Sequence, residues 1–177
     1  MLQNALKTLL APVAAAALAV VPGCGPFWVN PYIPVRESPL NWVHIHYYNT
    51  GRKPIRRVSV FLNGMGHVDV RKGTSDQISN DFAKDYRGET WADVKSGRIS
   101  ADPAHINDIF QNLVNYGLLD KEKTGRGSKR DKFDRFIAVK ANINSNTYSE
   151  PDNIFEVDPD LAEQLLDVVR EFDNPTR

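Results

Sequence analysis

Two histidines one residue apart, His44 and His46, are the residues whose types and spacing most directly suggest chemistry. On a β-strand successive side chains alternate between faces, so a His-x-His pair sends both imidazoles the same way. A divalent metal site often needs that arrangement. Two ligands do not complete such a site, and a third would have to come from His67, His105, Asp69 or another carboxylate, none of which the sequence places nearby. With a third ligand the pair would seed metal-dependent or acid–base chemistry. Without one it reads as a ladder of aromatic and histidine side chains on the outer side of a sheet. The only cysteine, Cys24, lies next to an apolar leader, so no Cys-His pair is available for nucleophilic catalysis, and no Ser-His-Asp set is legible. No catalytic residue is assigned.

Other candidates are weaker. Gly64-Met65-Gly66 lacks the third glycine of a nucleotide-binding loop and precedes alternating Val68 and Val70, so it reads as a hairpin turn after Asn63. Asp76, Asp81, Asp85 and Asp93 lack calcium-loop spacing and read as solvated surface. No cofactor is implied. Residues 121–135 form a glycine-containing basic loop with seven basic and three acidic residues. It could touch an anionic surface, but without interleaved aromatics it reads as a solvated loop.

The elements that must position these residues follow from periodicity. Residues 41–49 are rich in β-branched and aromatic types, and alternation puts Trp42, His44, His46 and Tyr48 on one face and Val43, Ile45 and Tyr47 on the other. Residues 55–63 alternate Val58, Val60 and Leu62 against Ser59 and Phe61. Arg52, Lys53, Arg56 and Arg57 read as a charged guard on a sheet edge. In residues 74–97, Ile78, Phe82, Tyr86 and Trp91 suggest a short helix or an irregular segment anchored to the core. Asp102-Pro103 opens a helix whose apolar face is Ile106, Ile109, Phe110, Leu113 and Val114, and Gly117 closes it. Residues 133–144 form a long strand, residues 144–153 turn the chain, and residues 154–157 are expected to return beside it. Asp158-Pro159 starts a second helix with a stripe of Leu161, Leu165, Val168, Val169 and Phe172. The expected fold is α+β: an antiparallel sheet of four to six strands with two helices packed on one face, the other face, with His44 and His46, open.

At the N-terminus, Lys7 precedes residues 9–21, an uncharged run too short for a ~30 Å hydrocarbon core, and Pro22 and Gly23 then interrupt it. Val21-Pro22-Gly23-Cys24 resembles the lipobox of bacterial lipoprotein signal peptides, matching at Val21, Gly23 and Cys24. The resemblance covers the first 24 residues only. It implies a signal peptide over residues 1–23, cleavage before Cys24, a diacylglyceryl thioether on its sulfur and acylation of its new amino group. Such a protein would be held by lipid to a bacterial membrane, facing the periplasm or the exterior of the cell envelope. Two alternatives remain open: cleavage after Ala19 to give a secreted protein, and retention of the leader as an uncut anchor. Residues 24–39 carry Pro26, Pro31, Pro34 and Pro39 and read as an extended tether reaching at most ~45 Å. Trp28 and Tyr32 in it either sit in the membrane interface or fold back on the domain. Residues 40–177 are expected to form one domain.

Composition bounds the function classes. The chain is 41% hydrophobic and 25% charged, an ordinary globular balance. It carries 22 basic and 22 acidic residues, and removing the leader with Lys7 leaves 21 against 22. Nothing in that balance favours nucleic acid as a partner. The expected function is a membrane-anchored, non-enzymatic binding or envelope-assembly module. The alternatives are an accessory subunit docking another envelope protein, and a metal-dependent enzyme using His44 and His46.

Overall fold

The computed structural model describes residues 32–78, 91–120 and 134–173. Strands β1 (Trp42–Asn49), β2 (Ile55–Asn63), β3 (His67–Ser75) and β4 (Ala92–Ser100) are followed by helix α1 (Pro103–Asn115). Strands β5 (Arg135–Ile143) and β6 (Asn146–Glu150), the short helix α2 (Ile154–Val157) and helix α3 (Pro159–Asp173) complete the order. The strands form one antiparallel sheet in the order β4-β3-β2-β1-β5-β6. The fold is α+β.

The sheet's two faces separate by alternation. Val43 and Ile45 of β1, Val58, Val60 and Leu62 of β2, Val68 and Val70 of β3, and Ile137, Val139 and Ala141 of β5 line up across the strands. All are buried with the apolar stripes of α1 and α3 in the main core. After β4 at one edge, the chain must reach the free side of β1. Helix α1, about 20 Å long at 1.5 Å per residue, begins beside the β2–β3 turn and covers the apolar face on the way.

Local signals set the ends of α1. The Asp102 side chain accepts from Ala104 N at 3.0 Å, and Pro103 follows it. At the other end Gly117, at φ 97°, and the buried Leu118 donate backward to Val114 and Leu113 at 3.0 Å. The β5–β6 hairpin turns on Asn144 and Ser145, both with positive φ, as a two-residue turn between right-twisted strands requires.

Three expectations are corrected. Residues 92–100 are edge strand β4 rather than part of a helix or an irregular segment, while Phe82 and Tyr86 lie outside the described residues. The return strand beside β5 is Asn146–Glu150, and residues 154–157 are α2: Asn153 Oδ1 accepts from Ile137 N and from Phe155 N, ending sheet pairing and capping a helix. The basic cluster does not guard an edge, because β2 lies inside the sheet. Arg56 pairs with Asp173 at the end of α3, and Arg57 is fully buried between the rings of Tyr48 and Trp91, 4.8 and 4.1 Å from their centroids. The basic loop over residues 121–133 lies outside the described residues.

The folded unit also begins before residue 40. Val35 is buried in the main core and its N–H donates to Gln111 Oε1 at 2.8 Å. Asn144 binds this strap twice, accepting from Arg36 N and donating to Pro34 O, both at 2.9 Å. Tyr32 lies exposed beside Gln111, and Trp28 lies outside the described residues. Among the described residues no helix is long and apolar enough to cross a membrane.

Gly64 is the point where the strap presses on the β2–β3 turn: a Cβ there would overlap the Ser38 carbonyl. Gly64→Ala should therefore lower unfolding free energy by about 1–3 kcal/mol. Urea unfolding measures it, and an unchanged midpoint would show that the strap does not pack there.

Candidate functional site

The face opposite the helices is built from two adjacent cross-strand rows. One row is Ala138, His46, Ser59, Arg71 and Ser96; the next is Lys140, His44, Phe61, Asp69 and Arg98. Each strand contributes one residue per row because successive residues on one face are two apart. Antiparallel pairing thus gathers polar groups from positions spread over more than ninety residues.

The β1 end of these rows is closed. His46 is fully buried and His44 and Ser59 nearly so, which corrects the expectation of an open face around the histidines. Beyond them Tyr48, Ile55, Phe136 and Ala138 form a second apolar cluster with Ile78 against it. The β2–β4 side is concave instead. A cleft of about 240 Å³ is lined by His44 and Ser59 at its floor, Phe61 as an apolar wall, and Asp69, Arg71, Ser96 and Arg98 around it. Arg98 Nε donates to Asp69 Oδ1 at 2.8 Å, and Trp42 stacks behind Phe61 at 6.1 Å.

His44 is the junction of the floor. Its Nε2 lies 2.8 Å from Ser59 Oγ and 3.1 Å from His46 Nε2, with the two imidazoles edge to face. In the tautomer with the proton on His44 Nε2, that nitrogen donates to Ser59 Oγ, and the Ser59 hydroxyl keeps its own proton to donate elsewhere. Burial, reinforced by the positive charges of Arg57, Arg71 and Lys140, holds His44 down to about 3 from 6.5. Burial, then His44 and Arg57, pushes His46 well below the ordinary histidine value. Both imidazoles are neutral at neutral pH.

The structure brings His44 and His46 together as the alternation predicts, and among the described residues none of the named third ligands joins them. His67 is exposed at the start of β3, His105 is on α1 paired with Glu171 at 2.6 Å, and Asp69 is paired with Arg98. Among the described residues no group of three His, Cys, Asp or Glu side chains is placed to hold a metal ion. The residues that sequence reasoning missed are Ser59, Arg71, Ser96 and Arg98. Ser59 and Arg71 already stood on alternating strands, but only the strand register puts them beside His44. Cys24 lies outside the described residues.

Comparison with known proteins adds no assignment: no protein-family model, no curated protein and no solved structure matches this chain.

The buried imidazoles make stability fall in acid. Their folded-state proton affinity is depressed, so the unfolded chain binds more protons below the free value of 6.5. Stability is full above that pH and is lost as pH falls toward 3. By pH 5 His44 should have cost about 2 kcal/mol, and His46 adds to the loss in the same direction. Urea unfolding at pH 7.5 and 5 checks this: the difference should shrink in a His44→Asn/His46→Gln variant. Imidazole NMR signals that titrate near the free value would refute it.

Proposed function

We propose that this chain is a lipid-anchored protein of a bacterial cell envelope whose folded domain is a binding module rather than an enzyme. The observation that carries the binding half is the cleft on the sheet's outer face, a concave polar site with a built floor and an apolar wall. Ligand sites are concave, and a few placed polar groups fix the ligand's orientation in them. The lipobox-like Val21-Pro22-Gly23-Cys24 supports the anchor. With the strap held to Gln111 from Tyr32 onward, seven residues lie between Tyr32 and Cys24, and the eight Cα steps reach roughly 26 Å fully extended. The domain would ride close to the bilayer rather than on a long tether.

Ser59 and His44 stand at the distance of a nucleophile and its general base, yet one feature argues against a hydrolase. A general base works best with a proton affinity near the operating pH, and burial holds His44 down to about 3, too weak for that role. A metal-dependent reading has one observation in its favour: two neutral imidazoles whose Nε2 atoms lie 3.1 Å apart, a pair that could ligate once the proton between them is lost or moved to the other ring nitrogen. An accessory-subunit role would use the same cleft face against a protein partner.

Intact mass of the mature protein tests the anchor. The expected product begins at a diacylglyceryl-modified, acylated Cys24; an unmodified chain beginning at Val20 overturns it. A fluorophosphonate probe tests the enzyme reading. Ser59 should stay unlabelled, and stoichiometric labelling lost in Ser59→Ala would make the protein a serine hydrolase.

A further inference from the structure

We propose that the cleft binds a neutral sugar, one pyranose ring that packs its C–H face on Phe61 and hydrogen-bonds its hydroxyls to Asp69 and Arg98. The inference rests on the binding-module reading and adds the chemical class of the ligand.

The first observation is the Asp69–Arg98 pair. The two residues stand opposite each other on β3 and β4, and Arg98 Nε donates to Asp69 Oδ1 at 2.8 Å. Both side chains reach solvent at the cleft, 43% and 77% exposed. Their bond uses one N–H of the guanidinium and one lone pair of the carboxylate, and each group has several more to offer. A set of donors and an acceptor are therefore held side by side. A hydroxyl is both donor and acceptor, and neighbouring hydroxyls on a sugar ring present both roles together. Such a ligand joins the pair without breaking it. An anion would have to compete with Asp69 for Arg98, and a cation with Arg98 for Asp69. The chemistry that an intact ion pair matches is neutral and polyhydroxyl.

The second observation is the ring beside that pair. Phe61 is the β2 neighbour of Asp69 in the same cross-strand row, half-buried and lining the cleft. Trp42 stacks with it at 6.1 Å, and His44 meets it edge to face at 5.9 Å. A ring held by two neighbours stays in place when a ligand arrives, so little ordering is lost on binding. The face of an aromatic ring is negative, and the C–H face of a pyranose is apolar and weakly positive, so the two are complementary. Neighbouring strands lie about 4.8 Å apart. A sugar resting on Phe61 thus brings the hydroxyls on its edge to Asp69 and, one strand further, to Arg98.

Size and the remaining lining agree. A volume of about 240 Å³ equals that of roughly eight liquid waters, room for one sugar ring. Ser59 and Ser96, from the next row, add hydroxyls at the floor and the rim.

The test is NMR titration of the full chain, solubilised in a detergent without a sugar headgroup. The probes are glucose, galactose, mannose, N-acetylglucosamine, inorganic phosphate, acetate and zinc ion. At least one sugar should shift the Phe61, Asp69, Ser96 and Arg98 amides saturably, and added salt should leave its affinity unchanged. Phe61→Leu, which keeps apolar bulk and loses the ring, should weaken binding by about three- to tenfold. Arg98→Met should weaken it by on the order of tenfold, with urea unfolding confirming a folded domain in both variants. A trisaccharide of the tightest sugar separates two sources of the same ring: binding at these amides identifies the end of a glycan, and exclusion identifies a free sugar. Sugar affinity unchanged in both variants would overturn the inference. Saturable shifts from phosphate or acetate, with none from any sugar, would overturn it and leave the binding module standing. Stoichiometric zinc lost in His44→Ala would overturn both. No saturable shift at these amides from any probe overturns the sugar site.

Discussion

The register of β1 against its two neighbours is the constraint on which everything else depends. β1 sits inside the sheet with β2 on one side and β5 on the other, and its apolar residues and its histidines differ only by parity. A slip of one residue would exchange the faces. Val43 and Ile45 would leave the helix layer, and the imidazoles would enter an apolar core. Both outcomes are costly, because unpaired polar groups in an apolar interior cost kilocalories each. The register that buries the aliphatic residues under α1 and α3 is therefore the one that lines His44 with Phe61 and His46 with Ser59. The cleft is a by-product of core formation, and the chain needs no separate local device to assemble it.

The outer face pays a second constraint, the burial of charge. Arg57 is fully buried, and removing a guanidinium from water costs several kilocalories unless its surroundings compensate. The rings of Tyr48 and Trp91 do so in part, and Gly73 opposite Arg57 leaves room for Trp91, whose ring a Cβ would crowd at 3.1 Å. The helix face solves the opposite problem at its rim. Asp173 places a carboxylate at the C-terminal end of α3, where the helix dipole disfavours it. Arg56 and Lys72 from β2 and β3 neutralise it and tie the helix end to the sheet.

How much of this was legible in the sequence depended on whether a signal was local. Asp102, Pro103 and Gly117 bracket α1 because capping acts within a few residues, and β1 and β2 show their period because both lie over a core. β4 gives no such period: it pairs on one side only, eight of its nine residues are exposed, and Gly97 adds no side chain. Residues 154–157 are aromatic and β-branched enough to read as a strand, but the Asn153 side chain takes the β5 amide and starts a helix instead. Ser59, Arg71, Ser96 and Arg98 are unremarkable serines and arginines in sequence. Their convergence exists only once three strands are in register.

The strap and the cleft use different surfaces, which lets the two halves of the proposed function coexist. The strap docks on Gln111 of α1, on Asn144 in the β5–β6 turn and against Gly64 in the β2–β3 turn. Those contacts lie on the helix layer and at one end of the sheet. The cleft opens on the opposite face, through side chains of the rows shared by β2, β3 and β4. A domain drawn toward a membrane through its strap would therefore approach by the helix layer and the turns. The cleft face would stay turned away from the point of attachment, available to a soluble ligand and kept from the surface that holds the protein.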